Sequence, residues 1–60
     1  MTNEQRSEFW AEVKNLEKYY GEDFSDKVRL YEYPDEGPSF LLGVPDDFEI
    51  KVRAIFDRLR

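Results

Sequence analysis

The chain has 60 residues, no cysteine, no histidine and a formal charge of −5, with a pI near 4.6. That length limits it to one domain with a thin core, burying roughly 60% of the surface its unfolded form exposes. The missing residue types exclude disulfides and thiolate or imidazole metal sites, and the acidic balance opposes direct DNA or RNA binding and adsorption to anionic lipid.

Material for a core is nevertheless present. Five Phe, four Tyr and one Trp can each bury about 150 to 250 Å², so an ordered domain is expected, held as a monomer by apolar packing or as a homodimer by oligomerisation. No stretch approaches the roughly 20 apolar residues of a membrane span. The polar start, Met1 to Arg6, lacks the apolar core of a signal peptide, and the absence of cysteine suits a reducing compartment. A cytoplasmic location is the expectation, with no membrane association.

In chain order, Phe9, Val13, Leu16 and Tyr20 recur at i, i+4, i+7 and i+11, which places them on one helical face. The spacing predicts a helix from about residue 3 to residue 20, opened by a capping box between Thr2 and Gln5 and closed at Gly21. Two short segments rich in β-branched and aromatic residues follow, 28–33 and 40–44, separated by Pro34-Asp35-Glu36-Gly37-Pro38-Ser39. They predict a β-hairpin with a longish loop. Alternation puts Val28 and Leu30 on the face toward the helices, Phe40, Leu42 and Val44 on one face of the second strand, and Tyr31, Tyr33 and Leu41 on a partly open outer face.

The last segment supports two periods. Phe48, Ile50, Val52 and Ala54 alternate as in a strand, whereas Phe48, Val52, Ile55, Phe56 and Leu59 share one helical face. Only the helical period accounts for the segment through Leu59. Pro45 before an acidic start, with Asp46 and Glu49 spaced as a second capping box, also favours a helix over 46–59. Ile50 then falls on the polar side, exposed or covered by a partner. The expected fold is a single α+β domain, α-β-β-α, with an antiparallel hairpin packed on two helices.

Function has to be read without the commonest catalytic side chains. Ser7, Ser25 and Ser39 have no activating base in view, and a chain this short leaves little room for a water-excluding pocket. The acidic clusters lack the alternating spacing, central Gly and bidentate Glu of a calcium loop. No enzymatic activity, cofactor or metal is expected.

Charge placement is more informative. The formal charges of residues 1–21, 22–49 and 50–60 are −1, −7 and +3. Asp46, Asp47 and Glu49 at the start of the second helix and Arg58 and Arg60 at its end suit the helix dipole. Glu4, Glu8 and Glu12 form a row along the first helix that repels itself. Lys51 with Arg58, and Arg53 with Arg60, form two basic rows flanking the apolar face of the second, where one can meet the Glu row. Trp10 reads as core edge.

The acids left over are Glu22, Asp23, Asp26, Glu32, Asp35 and Glu36, beside Tyr31 and Tyr33. These eight residues are the expected protein-binding surface, since tyrosine supplies large amphipathic contacts and carboxylates select a basic partner. In size and acidity the chain resembles small phage-encoded inhibitors of bacterial defence, including anti-CRISPR and anti-restriction proteins. That resemblance implies a decoy occupying a basic, nucleic-acid-binding groove of a larger protein. The alternative is a structural or regulatory module, a homodimer or accessory subunit, joined through an apolar surface around Ile50, Tyr31 and Leu41.

Overall fold

The computed structural model describes residues 2–30 and 37–60. Its elements are helix α1 (Asn3–Glu17), a single 3-10 turn (Ser25–Lys27), strands β1 (Val28–Arg29) and β2 (Ser39–Phe40), and helix α2 (Asp46–Leu59). The strands pair antiparallel in the register Val28 to Phe40 and Arg29 to Ser39. Two helices and a two-stranded hairpin pack together as an α+β domain.

The start of α1 follows from its sequence. The Gln5 amide N–H donates to Thr2 Oγ1 at 3.1 Å, and the Thr2 N–H donates to Gln5 Oε1 at 2.7 Å, completing the box. Regular helix ends at Glu17, three residues before the predicted limit. Tyr19 and Tyr20 N–H instead bond the Leu16 and Glu17 carbonyls at 3.1 and 3.0 Å, tightening the tail into 3-10 turns. Gly21, at φ +69°, then reverses the chain in the left-handed region that glycine enters without steric cost.

The hairpin is shorter than alternation suggested. Leu41 N–H still bonds the Lys27 carbonyl at 2.9 Å, but Leu42 and Gly43 form a turn with Gly43 at φ +95°. A residue past the end of a strand no longer obeys its period, so Leu42 is 97% exposed instead of sharing a face with Phe40 and Val44, which are partly buried against the core. The far end of the predicted first strand, residues 31–33, lies outside the described residues.

Helix α2 has the predicted bounds but a different cap. Pro45 occupies the N-cap position and no side chain caps the helix, so Asp46 is already helical and the expected Asp46–Glu49 box does not form. Glu49 instead pairs with Arg53 at 3.6 Å, one turn on. Proline's fixed φ, here −61°, suits the approach to a helix, and three acids in the first turn complement the exposed N–H groups through the dipole.

Among the described residues the core consists of Phe9, Val13, Phe24, Val28, Phe48, Val52 and Phe56, with Trp10, Leu16, Tyr20, Leu30, Phe40, Val44, Ile55 and Leu59 packed at its margin. Phe9, Trp10 and Phe56 meet edge to face, with centroids 5.1 and 6.3 Å from Phe9. Trp10 is thus core edge, as its position on α1 implied. Phe24 was not foreseen, because the sequence around it has no period; Gly21 and the 3-10 turn bring it back over Phe48. Ile50 is 67% exposed, as the helical period requires. Among the described residues no helix is long and apolar enough to cross a membrane.

Candidate protein-binding surface

The helices run antiparallel: Gln5 Nε2 near the start of α1 donates to the Leu59 carbonyl at the end of α2, at 2.7 Å. The tail of α1 therefore meets the start of α2. There the Tyr20 ring lies edge-on to Phe48 and Phe24 at centroid distances of 5.4 and 6.0 Å, and Phe24 lies 5.1 Å from Phe48. The Tyr20 hydroxyl reaches past these rings to donate to Asp47 Oδ2 at 2.8 Å. That bond holds the Asp47 carboxyl below its ordinary range and, because the phenol donates to a carboxylate, raises Tyr20 above its own.

The next segment is ordered by carboxylates turned onto backbone. Glu17 Oε2 accepts from the Phe24 and Ser25 N–H groups, both at 3.1 Å, while Asp23 Oδ1 accepts from the Ser25 hydroxyl at 2.7 Å and its N–H at 3.0 Å. The Ser25 hydroxyl is the main reason that the Asp23 carboxyl lies below the ordinary range. Such local bonds satisfy a turn that has no ladder partner. They also hold Asp23 ionised at a defined place on the surface.

Glu22, Asp23, Asp26, Asp46 and Asp47 are all exposed, and none forms an ion pair with a described residue. Lys14 and Lys51 contribute to lowering Asp23 and Asp47 without bridging to them; Lys51 Nζ and Lys27 Nζ instead lie 6.0 and 5.9 Å from the centroids of Tyr20 and Phe24. The result is a surface with several exposed carboxylates, unbridged to any described residue, beside an aromatic cluster.

Of the eight residues expected to bind a partner, Glu22, Asp23 and Asp26 belong to this surface. Tyr31, Glu32, Tyr33, Asp35 and Glu36 lie outside the described residues. The structure adds Asp46, Asp47 and the Tyr20 hydroxyl, which the sequence had assigned to the helix dipole and the core. The signal for them was an antiparallel helix pair, which sets the last apolar residue of one face against the first of the other.

The Glu row on α1 is partly neutralised within the fold. Arg58 Nη2 bonds Glu12 Oε1, whereas Glu4 and Glu8 form no ion pair with a described residue. Besides Ile50, the exposed large apolar side chains among the described residues are Leu42, Tyr19 at 87% and Leu41 at 50%. Among the described residues no group of three or more acidic side chains is placed to hold a metal ion. A surface depression of about 440 Å³ is lined by Asn15, Lys18 and Tyr19, and a cleft of about 100 Å³ by Gly37, Pro38, Arg53, Phe56, Asp57 and Arg60. Comparison with known proteins finds no matching family model, curated protein or solved structure.

Proposed function

We propose that the chain is a non-enzymatic binding domain that lays its acidic end on a basic surface of a larger protein, where a nucleic acid would otherwise sit. The observation that carries this reading is the set Glu22, Asp23, Asp26, Asp46 and Asp47: exposed, without an ion pair to a described residue, and with Asp23 and Asp47 oriented by hydrogen bonds from Ser25 and Tyr20. Unbridged carboxylates keep their full charge for a partner, and fixed ones lose less conformational freedom on binding. The likeness in size and acidity to phage-encoded inhibitors adds a class of partner, a nucleic-acid-binding protein of a defence system.

The test is an affinity capture with stepped salt elution, followed by competition between this chain and duplex DNA for the released protein. Binding should fall steeply with salt and be lost in a variant carrying Asp23→Lys and Asp46→Lys. A complex indifferent to salt and to both charge reversals would sink the proposal.

A second reading, association through an apolar surface, is favoured by the exposure of Leu42, Ile50 and Leu41. It requires light scattering of the pure protein to show a concentration-dependent dimer that Ile50→Lys or Leu42→Ser converts to monomer. A monomer at all concentrations removes the homodimer.

A further inference from the structure

The small cleft lies away from the acidic end, between Gly37–Pro38 and the C-terminal half of α2. Its floor is the Phe56 ring and buried Pro38, and the Gly37 backbone comes so close that a Cβ there would touch the ring at 3.6 Å. Arg53 and Arg60 stand on its helical wall, two turns apart on one flank of α2. Each guanidinium is carried over an aromatic ring, Arg53 5.1 Å from the Phe40 centroid and Arg60 5.5 Å from that of Phe56.

Stacking of this kind holds the plane of a guanidinium while leaving its N–H edge open, which is the geometry that receives a carboxylate. Competition within the fold is weak. Arg60 has no carboxylate partner among the described residues, and Arg53 has only Glu49, at 3.6 Å with the arginine side chain 56% exposed; a pair of that kind contributes about 0 to 1 kcal/mol. Glu49, outside the lining, draws on Arg53 alone. Asp57, between the two arginines in sequence, also lines the cleft, so the described lining carries one positive charge in excess. That suits a single carboxylate and disfavours a phosphate dianion, as does the −5 charge of the whole chain. A volume of about 100 Å³ admits a carboxylate on one or two methylenes, which the Phe56 and Pro38 surfaces would cover.

We propose that this cleft is a subsite for an Asp or Glu side chain of a partner polypeptide, its carboxylate held by Arg53 and Arg60 and its methylenes laid on Phe56 and Pro38. The subsite shares no residue with the acidic end, so either reading can fail while the other stands. On a partner whose face is otherwise basic, one acidic side chain seated here would define the register of docking.

The probe is propionate, which reproduces a glutamate side chain, titrated into isotope-labelled protein at constant ionic strength and followed by amide and arginine Nε–H resonances. Saturable shifts in the millimolar range, confined to Gly37, Ser39, Arg53, Asp57 and Arg60, are expected. Either Arg53→Gln or Arg60→Gln should weaken binding roughly tenfold, the effect of one charge-assisted hydrogen bond at an exposed site. Both side chains are exposed, so the amide spectrum should otherwise be preserved. Shifts that rise linearly without saturating, or that persist unchanged in both variants, would overturn the subsite. Inorganic phosphate saturating the same resonances at lower concentration than propionate would overturn its assignment to a carboxylate.

Discussion

At one end of the antiparallel helix pair, the tail of α1 is fastened to the start of α2 by the rings of Tyr20, Phe24 and Phe48, with a single polar link from Tyr20 to Asp47. At the other, Phe9 meets Phe56, and around them Gln5 bonds the Leu59 carbonyl and Glu12 pairs with Arg58. Aromatic burial is common to both, and it supplies most of the energy that closes each end. The polar links differ in what they do with charge. At the Phe9–Phe56 end a carboxylate is neutralised by an arginine within the fold; at the Tyr20–Phe48 end a hydroxyl orients a carboxylate and leaves its charge in place. A hydroxyl can position an anion without cancelling it, so this end of the helix pair keeps exposed carboxylates that bridge to no described residue.

Removing the rings should have the largest effect at either end. Phe48→Ala and Phe9→Ala should each cost about 3 to 5 kcal/mol, against a total near 3 to 9 kcal/mol for a chain of this size. Loss of near-ultraviolet circular dichroism in both variants is the expected result, and a cooperative transition surviving in only one would show that the ends are not equivalent. A smaller effect separates the two helix starts. Thr2→Ala should lower stability by about 0.5 to 2 kcal/mol by removing a cap, while Asp46→Ala, which removes only a favourable charge near the dipole, should shift the urea midpoint less.

The charge contrast is sharpened by finer measurements. A double-mutant cycle on Glu12→Gln and Arg58→Gln should return a coupling of about 0 to 1 kcal/mol, since the arginine side chain is 57% exposed. Tyr20→Phe should lower the urea midpoint slightly at neutral pH, with a pH dependence that identifies the bond. Asp47 is shifted down, so its contribution is present above the ordinary carboxylate value and is lost as pH falls through the folded value; Tyr20 is shifted up, so its contribution is present below the ordinary phenol value and is lost as pH rises through the folded one. The difference between Tyr20→Phe and the parent should therefore be flat through neutrality and fade below about pH 4 and above about pH 10. A difference that persists in acid would assign the effect to ring packing.

Several of these features are legible in the residues alone. Thr2 and Gln5 specify the start of α1 because capping is a contact between near neighbours, and the period of Phe48, Val52, Ile55, Phe56 and Leu59 specifies α2 and the exposure of Ile50 because a helix has one fixed repeat. The α-β-β-α order follows from these and from the Pro34–Pro38 interruption. Of the candidate surface, Glu22, Asp23 and Asp26 could be found as acids left over once helix caps and basic rows were assigned. Asp46 and Glu49 had the spacing of a box but not its register, since Pro45 takes the cap position and a shift of one residue removes the contact.

Tertiary structure decided what depends on residues far apart in the chain. Phe24 becomes core only because Gly21 and the Ser25–Lys27 turn fold it over Phe48, 24 positions later. Leu42 becomes surface because β2 stops at Phe40. Asp47 becomes an oriented anion because an antiparallel helix delivers the Tyr20 hydroxyl 27 positions from it in sequence, and Arg53 and Arg60 come to line one cleft because Gly37–Pro38 faces Phe56. Local periods, the first cap and the excess of acid follow from neighbouring residues alone. Which carboxylates would be neutralised, which held in place and which left facing outward was decided by packing, because charge pairing acts over a few ångströms of space whatever the distance along the chain.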